Sequence, residues 1–289
     1  MKSIAIIGAG NLGTSIGYAL SKKGYPINAL SCLSISSAEE SQQKIGQGKA
    51  STDNVRTANQ GEIVFLTVPD DEIAHVVQEL VSSPLNWKDK IVIHCSGLLT
   101  SSVLHPLQLK GAHTASIHPC YSFPKKQSRP DLFQDIYFAL EGDDLALRTA
   151  EEIISTIGGL HIKIRAENKA NYHTACSLTS NMSIALLYTA ISLLSKCGIR
   201  EDKAKKILWP LLEGTLHNVN KIDISDSLTG PVARGDLSTV RKHLVELEHS
   251  PLVHRIYIDL ARQALEMAKR RDKIPKEKVS LLEELLEHE

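Results

Sequence analysis

The feature that most constrains the fold of this chain is a glycine-rich turn near its amino terminus, residues 8–13, with the sequence Gly-Ala-Gly-Asn-Leu-Gly. An apolar run over residues 3–7 precedes the turn, and apolar residues at helical spacing follow it over residues 10–23. A second β-prone run covers residues 27–33. This order predicts a βαβ unit of about 30 residues whose first turn carries the glycine pattern of dinucleotide-binding sites.

The glycines of this turn have distinct physical roles in such a site. Gly8 permits a tight turn, Gly10 lets the backbone approach a pyrophosphate, and Gly13 lets the helix pack closely against the strand. Backbone amides at the start of the helix, around Asn11 and Leu12, then face the phosphates, where the helix dipole favours negative charge. We therefore predict that these five residues bind the cofactor. The alternative is a Rossmann-like turn that has lost its nucleotide.

The rest of the sequence divides into two parts of different character. Further apolar runs predict strands over residues 62–68, 90–95, 115–118, 136–140 and 160–164. Helical patterns such as 71–80 and 145–157 alternate with them, so residues 1–165 predict a doubly wound parallel α/β domain of Rossmann type. From residue 166 to 289 the pattern is helical, which predicts an all-α second domain.

The composition narrows the class of partner. The chain has 33 lysine and arginine residues and 33 aspartate and glutamate residues among 289. This balance removes the electrostatic basis for binding nucleic acid or an anionic membrane, so we expect a small-molecule substrate. The five cysteines are scattered and form no C-x-x-C pair, which is typical of reduced thiols, so we expect a cytoplasmic protein. No stretch approaches the ~20 apolar residues of a membrane span, so we expect no transmembrane segment.

The end of the second strand bears on which dinucleotide is bound. NAD sites usually place an acidic residue there to bind the ribose diol, but no acid precedes Glu39 in this sequence. Ser34 and Ser36 lie in that region instead, and their hydroxyls could bind a 2′-phosphate without repelling it. Because no arginine precedes Arg56, the usual cationic partner of that phosphate is missing locally. The pattern favours NADP and leaves NAD open.

The first helix of the second domain carries a row of polar groups. Residues spaced by four place an amine, an imidazole, a hydroxyl and an amide on one helix face: Lys169, His173, Ser177 and Asn181. We predict that His173, with an ordinary pKa near ~6.5, is a general acid or base, and that Lys169 donates a proton or orients an anionic substrate. Asn181 completes the predicted catalytic set. The alternatives are a surface Lys169, a hydrogen-bonded core His173 and an Asn181 that caps a backbone group.

A short segment between later helices, residues 229–236, combines turn formers with a cation and an acid. We predict that Arg234 binds a substrate carboxylate or phosphate through its planar guanidinium, with Asp236 beside it in the substrate site. The alternative is an ordinary interhelical loop in which Asp236 caps the next helix.

Two pairs of metal-binding residue types occur in the first domain, His94-Cys95 and His118-x-Cys120. Both lie in or just after predicted strands, where adjacent side chains point to opposite faces. The sequence shows no four-ligand set, so we predict no metal.

The order and spacing of the motifs resemble a family of candidate NADP-dependent oxidoreductases whose carboxyl-terminal helical part is a domain of unknown function. The shared motifs lie at residues 8–13, 67–71, 94–97, 117–123, 169–173, 180–181 and 228–236. The family is similar in organisation to pyrroline-5-carboxylate reductase and 6-phosphogluconate dehydrogenase, whose helical domains build dimers and complete the active site. The resemblance therefore implies a homodimer.

The resemblance also implies roles for individual residues. It implies cofactor binding by Val68, Pro69, Ser96, Gly97 and Pro119, and substrate binding by His118 and Ser122. Family members often carry an arginine in the turn after the second strand, where this chain has Ser34-Ile35-Ser36, and this departure bears on the preference for NADP.

The activity implied by the resemblance is hydride transfer between a nicotinamide cofactor and a small carbonyl or imine. The alternative is a noncatalytic NAD(P)-binding sensor on the same scaffold.

Overall fold

The computed structural model of the chain describes residues 1–271 and 274–287. The chain forms two compact units, Met1–Met182 and Ser183–Glu289. The sequence predicts a division at residue 165, whereas the structural division falls after the first helix of the predicted second domain. That helix, which carries Lys169 and His173, therefore belongs to the unit that contains the sheet.

Within the described residues, the first unit contains one sheet of eight strands. Their bounds are β1 Ile4–Ile7, β2 Ile27–Ser31, β3 Lys49–Ser51, β4 Ile63–Leu66, β5 Ile91–His94, β6 His113–Pro119, β7 Tyr137–Gly142 and β8 Leu160–Lys163. The spatial order is β3-β2-β1-β4-β5-β6-β7-β8, which contains the order 3-2-1-4-5 of a doubly wound nucleotide-binding sheet. The predicted α/β fold is confirmed.

The strands pair in parallel with one exception. β6 and β7 pair antiparallel, so the sheet is parallel over most of its width rather than throughout. Strand β3 is an addition to the predicted set, since its three residues, Lys-Ala-Ser, contain no apolar run.

Helices of the first unit cover the sheet. Their bounds are α1 Asn11–Lys22, α2 Ile35–Ile45, α3 Asn54–Asn59, α4 Asp70–Ser82, α5 His105–Gln108, α6 Asp144–Thr156 and α7 Lys169–Ser177. Side-chain oxygens begin three of them by accepting a backbone N–H of the first turn: Ser34 at α2, Asp53 at α3 and Asp143 at α6.

The core of the first unit lies on both faces of the sheet. Alternate residues of β1 pack into different apolar clusters, Ile4 and Ile6 into one and Ala5 and Ile7 into the other. All four residues of this strand are fully buried. Burial on both faces explains why the strand reads as an uninterrupted apolar run.

The parallel pairing brings the ends of several strands to one edge. Ile7 is paired with Leu66, Leu66 with His94, and His94 with Ser116, so β1, β4, β5 and β6 are in register there. Residues that follow the first three strands therefore gather along a single crevice. In doubly wound sheets this carboxyl edge is where ligands bind.

The second unit is all-helical in its described residues. Its helices are α8 Ser183–Lys196, α9 Glu201–Lys221, α10 Pro231–Arg234, α11 Leu237–Leu247, α12 Pro251–Lys269 and α13 Lys276–Glu287. Its apolar core is formed by α10 to α13 and contains Val240, Leu244, Ile258, Leu265 and Leu282. The predicted helical character of this part of the chain is confirmed.

One helical run crosses the division between the units. Ala166–Lys196 is long and apolar enough to span a membrane by length and composition alone, and 6% of its most apolar window is buried. This corrects the expectation that no stretch reaches that length. Since helices that pack against protein pass the same test, the property does not by itself assign a membrane.

Candidate active site

The glycine turn begins the crevice. Gly8 adopts the left-handed conformation, with φ of 83°, and a Cβ there would lie 2.5 Å from Cγ1 of Val68. A Cβ on Gly13 would overlap the hydroxyl of Thr67 and lie 2.9 Å from the carbonyl oxygen of Gly8. The Thr67 hydroxyl donates to that carbonyl at 2.7 Å. Both glycines are therefore required for close approach of the turn to β4.

The start of α1 fits a pyrophosphate. The nearest atom to a Cβ on Gly10 would be the Gly8 carbonyl oxygen at 3.8 Å, so the backbone here is open to an approaching ligand. No side chain caps this helix and no acid occurs in its first turn. Because the first amides of a helix have no partner within it, those around Asn11 and Leu12 are oriented to bind an anion.

The end of β2 holds the predicted serines next to a cation that the sequence did not reveal. Ser34 caps α2, and its hydroxyl lies 3.2 Å from that of Ser36. The ammonium of Lys126, a residue of the segment between β6 and β7, donates to the carbonyl and hydroxyl oxygens of Ser37, both at 3.1 Å. It also donates to Glu40 at 2.7 Å, and this bond holds the pKa of Glu40 below its ordinary value.

Asp70 and Ser96 join the ends of β4 and β5. Ser96 donates its hydroxyl hydrogen to the Asp70 carboxylate at 2.7 Å and accepts the backbone N–H groups of Leu98 and Leu99. These three bonds fix the turn that follows β5, which contains Gly97.

A buried lysine lies beneath this turn. Lys169 is 2% exposed, and its ammonium donates to the carbonyl oxygen of Ser96 at 3.0 Å and to the hydroxyl of Ser116. Its nitrogen lies 3.7 Å from a carboxylate oxygen of Glu141. Burial lowers the pKa of Lys169, and the negative charge of Glu141 opposes that shift. These four residues, Lys169, Ser96, Ser116 and Glu141, are referred to below as the Lys169 cluster.

Glu141, which lies on β7, connects this cluster to a further turn. One carboxylate oxygen accepts the backbone N–H of Ser101 at 2.5 Å, and the other accepts the Ser101 hydroxyl at 2.8 Å. The buried ion pair is thus supplied with the extra hydrogen bonds that such a pair needs in a low-dielectric interior.

Two histidines meet at Gly97. A Cβ on Gly97 would lie 2.6 Å from Cδ2 of His173 and 2.9 Å from Nε2 of His118, so only glycine fits between the rings. The two rings are edge to face, with centroids 5.9 Å apart. Nδ1 of His118 is hydrogen-bonded to the hydroxyl of Tyr172 at 2.8 Å.

The electrostatics of His118 and Tyr172 keep both side chains uncharged. Burial, followed by the charges of His173 and Lys169, lowers the pKa of His118 to about 4. Burial also raises the pKa of the Tyr172 hydroxyl. At neutral pH, His118 is therefore neutral and Tyr172 is protonated.

His94 and Cys95 lie deeper than this pair. His94 is fully buried, its Nδ1 accepts the backbone N–H of Ser96 at 3.2 Å, and burial lowers its pKa to about 3. Burial raises the pKa of the Cys95 thiol to about 12. Both residues support the turn after β5 from inside the fold.

Comparison with known proteins agrees with this architecture. A Rossmann-like domain model matches residues 1–119, and a domain of unknown function, DUF2520, matches residues 136–264. A protein of Thermotoga maritima is 30% identical, with a TM-score of 0.72 over 93% of this chain and 100% of that one. The chain belongs to the DUF2520 family. The predicted resemblance is confirmed.

Two further solved structures resemble this DUF2520 protein. A candidate NADP oxidoreductase of Bacteroides fragilis is 25% identical, with a TM-score of 0.75 over 91% of this chain and 97% of that one. The pyrroline carboxylate reductase of Plasmodium falciparum, solved with NADP bound, is 14% identical, with a TM-score of 0.58 over 93% and 97%. At that identity the likeness is one of fold. No curated protein matches the chain in sequence.

The first unit of the DUF2520 protein brings many of the predicted site residues together. Gly8, Gly10, Gly13, Val68, Ser96, Gly97, His118 and His173 lie along the carboxyl edge of the sheet, and Lys169 is buried beneath the turn after β5. Pro69 precedes α4 in the same loop as Val68, and Pro119 is buried at the end of β6. Asn11 lies at the start of α1, where its amide donates to the carbonyl oxygen of Phe123 at 2.9 Å.

Other predicted residues are placed apart from this group. Ser122 is exposed in the segment after β6, and Asn181 is exposed in the π-helical turn Leu178–Met182. In the second unit, Arg234 donates to the carbonyl oxygen of Thr229. Asp236 caps α11 by accepting the N–H of Thr239, which is the capping role that the sequence left open.

Several residues of the site were absent from the sequence-based set. Glu141, Tyr172 and Lys126 each bond to a partner more than 25 residues away, and for Glu141 and Lys126 no local pattern marks this contact. For Tyr172 a signal did exist, because it adjoins His173 on the same helix. Within the residues described, no group of three metal-binding side chains comes together.

Proposed function

We propose that this chain is a cytoplasmic NAD(P)-dependent oxidoreductase that transfers a hydride between the nicotinamide and a small carbonyl or imine substrate. The observation that carries the proposal is the meeting of His118 and His173 at Gly97, on the crevice that begins at the glycine turn. Because Gly97 has no side chain, the two imidazoles can pack against its backbone, which places proton-carrying groups at the turn where the nicotinamide would bind.

The crevice offers a continuous path for a dinucleotide. Gly8 approaches Val68, whose loop leads to Asp70, and Asp70 bonds to Ser96 next to Gly97. A pyrophosphate at the glycine turn would therefore direct one half of the molecule toward Gly97 and the other toward the end of β2. In the reductive direction the bound nicotinamide would supply the hydride and the protein would supply the proton, and in the oxidative direction the nicotinamide would accept the hydride and the protein would accept the proton.

His173 is the proposed proton donor. It is half-buried in α7 and faces Gly97, whereas His118, with its lowered pKa, is neutral and bonded to Tyr172. We assign His118 and Tyr172 to orienting the substrate by hydrogen bonds, because neither carries a charge at neutral pH.

Lys169 has a proposed positioning role. Its ammonium is occupied by Ser96, Ser116 and Glu141, and its side chain is 2% exposed. Through the carbonyl of Ser96 it would hold the turn that presents Gly97. In this proposal it acts on the substrate through that turn.

NADP is the proposed cofactor because Lys126 supplies the cation that the local sequence lacks. Its ammonium lies on Ser37, next to Ser34 and Ser36 at the start of α2. A 2′-phosphate at this position would meet hydroxyls, a helix start and the ammonium of Lys126, and it would compete with the Glu40 carboxylate for that ammonium.

The preference for NADP is testable with a matched pair of lysine variants. Lys126→Ala should weaken NADPH binding about ten-fold or more and leave NADH binding nearly unchanged, since a bond to a charged group contributes about 1.5–3 kcal/mol. Lys125→Ala, which removes the preceding exposed lysine, should change neither affinity. Titration by cofactor fluorescence measures both. Equal loss of NADPH and NADH affinity in Lys126→Ala would argue against the assignment.

A homodimer is proposed from the exposed apolar surface of α8 and α9. These two helices pack against each other, yet large apolar residues on them remain exposed: Ile184, Leu186, Tyr188, Ile207, Trp209, Leu211, Leu216 and Val219. This set is referred to below as the α8–α9 face. Many large apolar residues exposed on one pair of helices usually mark an interface, and a second copy of the chain is the proposed partner.

Nucleotide binding and turnover together test the proposed function. Gly10→Asp should abolish NADPH binding, because a carboxylate would occupy the space for the pyrophosphate and repel it. Gly214→Asp adds the same group at another open glycine, on α9, and should bind NADPH normally. His173→Asn should still bind NADPH but lose turnover about 100-fold or more across a panel of carbonyls and imines.

Two outcomes would oppose the proposal in different ways. Unchanged NADPH binding in Gly10→Asp would show that the glycine turn is not the dinucleotide site. Normal binding in the wild type with no turnover on any substrate would favour a noncatalytic sensor on the same scaffold.

A further inference from the structure

Two cysteines lie side by side next to the site without a role in the proposed reaction. The sulfur atoms of Cys120 and Cys176 are 3.6 Å apart, within the distance of a thiol hydrogen bond. Cys120 directly follows β6 and Cys176 lies on α7, so the pair joins two elements whose residues are 56 apart in sequence. Cys120 is exposed and Cys176 is half-buried.

The pair lies beside the contact between His118 and Tyr172. Cys120 is two residues after His118, just past the end of β6, and Cys176 is four residues after Tyr172, about one turn further along α7. The His118 and Tyr172 side chains are hydrogen-bonded at 2.8 Å and the two sulfurs lie 3.6 Å apart, so the end of β6 and α7 are in contact at both positions.

Both backbones are held in place at this point. The N–H of Cys120 donates to the carbonyl oxygen of Tyr137 on β7 at 2.8 Å, and Cys176 lies within the hydrogen-bonded turns of α7. A bond between the sulfurs requires them to approach by about 1.6 Å, from 3.6 Å to about 2.0 Å. Rotation about the Cα–Cβ bonds is the movement by which the two side chains would reach this distance.

We infer that Cys120 and Cys176 form a site of reversible oxidation, at which a peroxide converts the two thiols to a disulfide. The thiolate of one cysteine attacks a peroxide oxygen, breaks the O–O bond and becomes a sulfenic acid, with release of hydroxide. The second thiol then attacks the sulfenic sulfur, the S–S bond forms, and the hydroxyl leaves as water. Two electrons pass from the sulfurs to hydrogen peroxide, and two molecules of water are produced in total.

The other cysteines do not share this arrangement. Cys95 is buried away from any other cysteine in the contacts that the structure gives it, and the thiol of Cys32 is bonded to the carbonyl oxygen of Ala9. Cys197 is exposed on the second unit, where its thiol is bonded to the carbonyl oxygen of Leu193 of its own helical run. Cys197 is therefore a matched control, exposed like Cys120 but without a cysteine neighbour among the contacts that the structure gives it.

Peroxide treatment of the full chain tests the inference. Hydrogen peroxide should lower the intact mass by two hydrogen atoms, and peptide mapping without reductant should recover the Cys120 and Cys176 peptides as one linked species. Dithiothreitol should restore the mass. Cys197→Ser should behave like the wild type, whereas Cys120→Ser and Cys176→Ser should not lose the two hydrogens and should gain oxygen at the remaining cysteine instead.

Differential alkylation provides a measurement that needs no variant. After peroxide treatment of the wild type, iodoacetamide should label Cys120 and Cys176 at least ten-fold less than before, and their labelling should return after dithiothreitol. Separate oxygen addition at either cysteine of the wild type, or a disulfide that involves Cys197, would overturn the inference. None of these measurements requires a nucleotide or turnover, so they stand apart from the test of the proposed function.

Discussion

The Lys169 cluster and the α8–α9 face differ in whether their chemical needs are met within the chain. In the first, a buried ammonium has a carbonyl, a hydroxyl and a carboxylate around it. In the second, large apolar side chains remain in contact with water, among them Ile184 at 67% and Leu211 at 69% exposure. The buried polar groups of the Lys169 cluster are all paired within the chain, so substitutions there should destabilise the fold. The apolar side chains of the α8–α9 face are not covered by the chain itself, so we expect a second copy to cover them.

The largest expected effect is a loss of folding stability when the Lys169 cluster is changed. Lys169→Met should lower the free energy of unfolding by about 3 kcal/mol or more, because it leaves the buried carboxylate of Glu141 without its cation. Urea denaturation followed by circular dichroism measures the change. Lys163→Met is the matched control, since Lys163 pairs with Glu151 at 2.7 Å on the surface and should contribute less than about 1 kcal/mol.

A second variant distinguishes the charge from the packing of this lysine. Glu141→Gln in the Lys169→Met background should recover part of the lost stability, because it removes the unpaired charge. If the single variant costs no more than the surface control, the Lys169 cluster is not the tightly coupled group described above.

The next effect concerns pH and the two histidines with lowered pKa values. The pKa of His94 falls from 6.5 to about 3 and that of His118 from 6.5 to about 4. Between these values the unfolded chain binds protons that the folded chain does not, so stability is present above pH 6.5 and is lost as the pH falls. Each histidine contributes a slope of up to about 1.4 kcal/mol per pH unit.

Denaturation at a series of pH values from 7 to 4.5 measures this slope. His94→Asn, whose side-chain oxygen can still accept the N–H of Ser96, should reduce the slope by up to about half. His75→Asn, which changes an exposed histidine, should not alter it. If the free energy of unfolding depends on pH with the same slope in His94→Asn and in the wild type, His94 does not have the lowered pKa described above.

The smallest expected effect on folding stability comes from a substitution on the α8–α9 face. Leu211→Asp should change the free energy of unfolding of one chain by no more than about 0.5 kcal/mol, since the side chain is already exposed. It should nevertheless weaken self-association at least ten-fold, measured by analytical ultracentrifugation. Leu109→Asp, at a leucine of the first unit that is 75% exposed, should leave association unchanged. A wild-type chain that remains monomeric at every concentration measured would contradict the proposed homodimer.

The fold is predictable from the sequence where local periodicity decides the structure. The glycine turn, the apolar strands and the helical half were predicted because each is encoded within about 20 residues. Helix α2 was not predicted, since Ile35–Ile45 contains few apolar residues and depends on Ala38, Ser41 and Ile45 packing against the sheet unit. The antiparallel pairing of β6 and β7 was also missed, because periodicity does not encode strand direction.

The residues of the candidate site are also only partly predictable from local sequence. His173 and Lys169 were identified from their spacing on one helix, but the burial of Lys169 depends on Glu141 of another strand. Likewise, the serines after β2 were visible in the sequence, whereas Lys126 reaches them from 89 residues away. Residues that act through long-range contacts have no local signature, so their roles required the folded chain.

The proposed function places the nicotinamide of a bound dinucleotide beside His173, in the crevice that runs from the glycine turn to Gly97. A crystal structure of the full chain with NADP bound measures this placement. We expect the pyrophosphate on the amides after Gly10, the nicotinamide ring against Gly97, and His173 near the face of the ring from which its C4 atom would reach a substrate. A nicotinamide that lies away from Gly97, with His173 out of reach of its C4 atom, would contradict the proposed function.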